Sequence, residues 1–123
     1  MPDQQSQIPE LKYVVIENWT ASYLDPIVVT AGDKLELSGQ TDIWDGHTWL
    51  WAKSRDGKKG WIPDTLVPKT STSVAQTDYT AAELTCQLGQ ILVAEKRTHG
   101  WVYCRSDDGQ HGWVPEKNLS RAT

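Results

Sequence analysis

At 123 residues the chain carries a net charge of −4, seven Trp, no Phe and two Cys. Its charges show no Lys/Arg cluster, which excludes a nucleic-acid footprint, and no apolar run approaches the ~20 residues that span a bilayer. Seven Trp in so small a chain point to a partly dry binding face, because an indole ring is apolar over its body and polar at one edge.

Residues 1–10 are polar and read as a flexible N-terminal tail. They lack the basic-then-apolar pattern of an export signal, so a cytoplasmic protein is expected. From residue 11 onward, short apolar stretches recur between turn signals, at 13–16, 27–29, 34–37, 48–53 and 60–62. Strands of this length with a turn every ten or so residues predict an all-β fold, and no window keeps a helical period. In Trp49-Leu50-Trp51-Ala52 the strand period of two puts Leu50 and Ala52 on one face and both Trp on the other. Asp56-Gly57 follows as a hairpin turn, where Gly tolerates the positive φ required. Residues 69–73 are polar, lack strand formers and read as a linker. So short a segment reaches at most ~20 Å, which sets its flanking units side by side.

After the linker the pattern returns. Residues 49–63 and 101–115 match without a gap at a shift of 52 residues, with Asp108-Gly109 on Asp56-Gly57 and Gly112-Trp113 on Gly60-Trp61. Upstream, Asn18-Trp19-Thr20-Ala21 matches Asp78-Tyr79-Thr80-Ala81, and Gly32 matches Gly89, with length differences only between these anchors. A period this long signals duplicated structural units. The boundaries that follow are a tail over 1–10, a first domain over 11–68, a linker over 69–73 and a second domain over 74–123. Units of this size bury only about 60% of their unfolded surface and are marginal alone. The expected cores are Leu35, Leu50, Ala52 and Ile62 in the first and Leu92, Val102, Cys104 and Val114 in the second. Cys86 and Cys104 read as buried free thiols. The three His are not at ligand spacing to them, so neither a metal nor a cofactor is expected.

The anchors, in this order, resemble the Src-homology-3 (SH3) family. Ala75-Gln76-Thr77-Asp78-Tyr79 is similar to its opening motif, Trp49 and Trp101 to its groove Trp, and Gly60-Trp61-Ile62-Pro63 and Gly112-Trp113-Val114-Pro115 to its closing motif. The wording resembles bacterial tandem variant-SH3 proteins more than eukaryotic signalling adaptors. The resemblance implies two tandem five-stranded barrels and a non-catalytic module that binds a peptide or protein. It places a ligand groove at Trp19, Trp49, Trp61 and Pro63 in one copy and at Tyr79, Trp101, Trp113 and Pro115 in the other. It also departs from the family: the tyrosines that wall the proline slots are replaced by Glu17 and Thr77 at one position and by Leu66 and Asn118 at the other.

Stacked rings beside a proline form a shallow apolar trough suited to an extended peptide. Trp44 is expected to cap the first groove, and Trp51 and Tyr103, on the outer strand face, to serve packing or contacts between units. Asp25, Asp42 and Asp45 flank the first groove and Glu83 and Glu95 the second, favouring a Lys or Arg on the partner. No arrangement of nucleophile, base and orienting group, and no phosphate-binding Gly loop, supports catalysis. The expected protein is a monomer or homodimer with no nucleic-acid or membrane partner. Two other readings compete: a cell-wall or glycan-binding module, to be decided by a peptidoglycan pull-down, and a structural protein whose aromatic faces are consumed in packing between repeats or between subunits.

Overall fold

A computed structural model describes residues 10–23, 25–68 and 73–122. The N-terminal tail, apart from Glu10, and the linker, apart from Ser73, lie outside the described residues. The described strands are β1 (Leu11–Val15), β2 (Val28–Val29), β3 (Glu36–Trp44), β4 (His47–Lys53), β5 (Lys59–Pro63), β6 (Tyr79–Thr80), β7 (Ile91–Thr98), β8 (Trp101–Arg105), β9 (His111–Pro115) and β10 (Leu119–Arg121). Single turns of 3-10 helix at Asp64–Leu66 and Glu116–Asn118 follow β5 and β9. The fold is all-β, and among the described residues no helix is long and apolar enough to cross a membrane.

Strand phase follows the sequence. In β8, Val102 and Cys104 point inward while Trp101, Tyr103 and Arg105 stay half-exposed. Leu35, Ala52 and Ile62 are buried in one core, with Leu50 packed partly buried against it. Leu92, Val102, Cys104 and Val114 are buried in the other. Both Asp-Gly turns adopt the expected hairpin, with Gly57 at φ 89° and Gly109 at φ 86°. Each is fastened by a buried serine. Ser54 Oγ donates to the Asp56 carboxylate and Ser106 Oγ to that of Asp108, which holds both carboxyls below their ordinary pKa.

The pairing of the repeats is where the structure departs from the sequence expectation. β1, from the first repeat, does not join β3–β5. It inserts between β10 and β7 of the second repeat, pairing Tyr13 with both Arg121 and Leu92. Tyr13 and Val15 thereby enter the core formed by Leu84, Cys86, Leu92, Val102, Cys104 and Val114. The equivalent segment of the second repeat makes the reciprocal move. Val74 bridges Lys34, Ala75 N donates to Asp33 O at 2.9 Å, and Ala75 is buried with Ile27, Val29, Leu35 and Ile62. The next segments are exchanged as well: Trp19 pairs with Cys86, and β6 pairs with β2. The two exchanges mirror one another down to side chains, since Asn18 Oδ1 accepts from Leu88 N at 2.6 Å and Asp78 Oδ1 from Ala31 N at 2.9 Å. The spans 11–68 and 74–123 are therefore the sequence repeats, while each packed unit combines segments of both.

The expected closed five-stranded barrels need one correction. The ladders form open sheets of five (β10-β1-β7-β8-β9), three (β3-β4-β5) and two (β2-β6) strands. The rest of each wall is closed by single bridges, Trp19 with Cys86, Lys34 with Val74 and Glu83 with Trp113, because the crossing segments bend away after one rung.

Cys86 and Cys104 are free and buried as expected. Burial pushes the Cys104 thiol up to about 12, with the neighbouring Cys86 adding to the shift, and raises Cys86 as well. A thiolate is the reactive species, so native-state thiol labelling should be slow at both positions. Rates near those of denatured protein at either one would contradict this core.

Candidate functional site

The chain crosses between its packed units twice, after Trp19 and through Ala81-Ala82, and a cleft of about 320 Å³ opens at the crossings. Trp19, Trp44, Trp49, Trp61, Tyr79, Trp101 and Trp113 all contribute to its walls. One shared cleft thus replaces the two expected grooves, and the exchange is the reason. Trp19, carried across with β1, meets Trp101 of the other repeat edge-to-face, with centroids 5.5 Å apart and planes at 79°. Tyr79, carried the other way, lies in the first unit and reaches Trp61 O with its hydroxyl at 3.4 Å. Burial, followed by the charge on Glu83, raises the Tyr79 phenol well above its ordinary pKa.

The long β3–β4 arm completes the cleft. β3 is exposed along nearly its whole length, and only at its tip, Trp44, does burial begin. Trp44 was expected over the first groove. It packs instead on Trp101, at 5.2 Å, with Lys117 Nζ 5.2 Å from its ring centre. Beside it His47 stacks on His99 at 4.9 Å, and His99 Nε2 lies 2.8 Å from Asp64 Oδ1. Trp49 meets the edge of His99 at 5.3 Å. Its indole N–H is buried and has no acceptor among the described residues, and an unmade bond of that kind costs about 1–3 kcal/mol.

The remaining expected site residues divide. Trp113 is 6% exposed and donates Nε1 to Thr80 O at 2.6 Å, so it forms the cleft floor and pins the second crossing. Pro63 and Pro115 are buried opposite Trp49 and Trp101 in the ladders and do not line the cleft, which corrects their placement in the groove. Asp42 and Glu83 line the cleft. Asp25 is instead paired with Lys58 at 3.0 Å, Asp45 forms the β3–β4 turn at φ 55°, and Glu95 pairs with Arg105 and His111. These three carboxylates do not face the cleft. Trp51 and Tyr103 each pack edge-to-face on the Trp of their own closing motif, Trp61 and Trp113, rather than between units.

Sequence reasoning passed over Ser22, Tyr23, Pro26, Lys59 and Thr98, all of which line the cleft. The signal for three of them was their place in the long loop after the opening motif, the Tyr-x-x-Pro of 23–26 above all. Among the described residues no group of three or more His, Cys, Asp and Glu is placed to hold a metal ion.

The sequence matches the family profile described as variant SH3 domain twice, over residues 12–70 and 69–121. No curated protein and no solved structure matches it.

Proposed function

Starting from a chain that belongs to the variant SH3 domain family and carries the domain twice, we propose a non-catalytic module that takes an extended peptide or protein segment into the aromatic cleft between its packed units. SH3-type domains are generally protein-interaction modules. The observation that carries the reading is the composite cleft, whose volume of about 320 Å³ lies in the range of ligand sites and whose walls bring together six Trp with Tyr23 and Tyr79.

The proline-slot positions serve other ends here. Leu66 is buried in the first core. Asn118 is buried and donates Nδ2 to Glu17 O at 3.2 Å and Asn18 O at 3.1 Å, which ties the exchanged N-terminal segment to the second unit. Glu17 and Thr77 are exposed and offer no ring. A plain proline-x-x-proline peptide should accordingly bind weakly.

The test is selection of peptides from a random library on the full chain, followed by titration monitored on the indole NMR signals. Trp49→Ala and Trp101→Ala should each weaken the selected peptide by about 2 kcal/mol, roughly 30-fold in Kd, with little change in thermal stability. Tight, saturable binding of the plain proline-rich peptide would show that the slots survive in another form. The structural reading, in which the rings serve packing alone, is favoured by the burial of Trp113 and by the Trp19–Trp101–Trp44 stack. It predicts that Trp101→Ala lowers stability and that the library yields no binder.

A further inference from the structure

We propose that the cleft recognises a trimethylated lysine side chain on its partner segment. The inference rests on the peptide-binding reading above and names the chemistry of what is bound.

Three indoles meet at one end of the cleft. Trp19 stands at 79° to Trp101, and Trp44 leans on Trp101 at 41°, so the rings form a corner instead of a flat stack. An indole face is the negative side of its quadrupole and attracts a cation held within about 6 Å. Lys117 Nζ already holds one such place, 5.2 Å from the Trp44 ring centre, which leaves Trp19 and Trp101 for a partner's cation.

Two carboxylates share the cleft with these rings, Asp42 and Glu83, and one ammonium, Lys59, does so too. Among the described residues neither carboxylate is in an ion pair, whereas Asp25, Glu95 and Glu116 all are. Glu83 is half-buried and rigidly held: its Oε1 accepts from Trp19 Nε1 at 3.1 Å and from Ser22 N at 2.8 Å. A fixed negative charge thus lies at the edge of the indole corner. No cationic side chain of the described residues pairs with it.

The way Glu83 is held also selects the kind of cation. A bare ammonium brings three N–H donors and a guanidinium five, and each needs an acceptor when it leaves water. One oxygen of Glu83 is already committed to two donors, and the indole faces accept only weakly. A trimethylammonium group has no N–H to satisfy. It keeps the positive charge, is weakly hydrated, and its methyl groups bury apolar surface against the rings. Aromatic enclosures recognise quaternary ammonium groups for this reason.

The experiment titrates the full chain with one short peptide in three forms, carrying trimethyllysine, unmodified lysine, or the uncharged isostere with carbon in place of the ammonium nitrogen. The trimethyllysine form should bind about tenfold more tightly than either of the others. Glu83→Gln retains the oxygen that serves Trp19 and Ser22 but removes the charge. It should cost the trimethyllysine peptide most of its advantage over the isostere and leave the melting curve unchanged. Equal affinity for the isostere would overturn recognition of the charge, and equal affinity for unmodified lysine would overturn selection for methylation. Choline chloride binding as tightly as the peptide would overturn the assignment to a protein side chain. If the library yields neutral binders and the trimethyllysine peptide shows no advantage over its relatives, this inference falls and the module reading stands. If the library yields nothing and none of the three forms binds, both fall.

Discussion

Neither sequence repeat should reproduce the intact chain's folding transition when expressed alone, and the second should fare worse. Residues 74–123 lose Tyr13 and Val15 from a core in which Val15 is fully buried. Folding back on itself, this half would place Ala75 at the position of Val15 and leave that of Tyr13 empty. Replacing a buried aromatic residue by a small one costs roughly 3–5 kcal/mol, and Val by Ala adds to it. That is comparable to the whole stability of a small domain, about 5 kcal/mol at the low end. Residues 11–68 face the opposite problem. Their own Val15 would have to fit where the core of Ile27, Leu35, Ala52 and Ile62 is closed by Ala75, and overpacking of this kind costs about 1–3 kcal/mol. A chain cut between residues 68 and 73 should nevertheless remain associated, because each fragment completes the other's sheet. Heating the intact protein and the isolated halves, and passing the cut protein over a sizing column, tests all three statements. Halves as stable as the whole, or fragments that part without denaturant, would refute the exchange.

The second large effect is expected at Gly112. A Cβ built there would stand 2.6 Å from Glu83 C and Leu84 N and 2.9 Å from Glu83 O. All three are backbone atoms of the crossing segment, held by Leu84 N to Trp113 O at 3.0 Å and Trp113 N to Ala82 O at 2.9 Å. Nothing flexible is there to yield, so Gly112→Ala should destabilise the protein by about 3 kcal/mol or more and lower its melting temperature by roughly 10 °C or more. Gly60, its counterpart, is the control. There the new methyl meets Ile27 Cγ2 at 3.0 Å, a side-chain atom that can shift, and the cost should be about 1 kcal/mol. Equal melting temperatures for the two variants would contradict the close approach at Gly112.

The contrast at these glycines marks how far the sequence alone could lead. Gly-Trp was visible as a repeated motif, and strand phase placed Val102, Cys104, Ala52 and Ile62 inward, because period-two alternation is a local property. The Asp-Gly hairpins were legible for the same reason. Which β1 pairs with which sheet was not, since the two opening segments carry similar patterns and local signals name a strand without naming its neighbour. The information resides in side-chain size: Tyr13 and Val15 fill one core where the small Ala75 suits the other. The shared cleft depends on that choice. Most of its aromatic residues were identifiable singly, but the meeting of Trp19 with Trp101, and the reach of the β3–β4 arm that puts Trp44 there, follow only from the exchange. Pro63 and Pro115, which the family resemblance puts in a groove, are buried opposite Trp49 and Trp101 in the ladders instead.

The placement of β1 beside β10 bears on how the molecule answers to tension. Ala122 N donates to Lys12 O at 2.9 Å and Tyr13 faces Arg121, so both ends of the described fold lie on one antiparallel ladder. Force applied between residues 11 and 122 would load its hydrogen bonds one rung at a time rather than in parallel, the geometry of a zipper pulled open. β10, held by one ladder only, would peel away first, and release of β1 after it would draw Trp19 off Trp101. A partner that pulled on those ends would dismantle the cleft at modest load, while the β3–β5 sheet, outside the line of force, stayed intact.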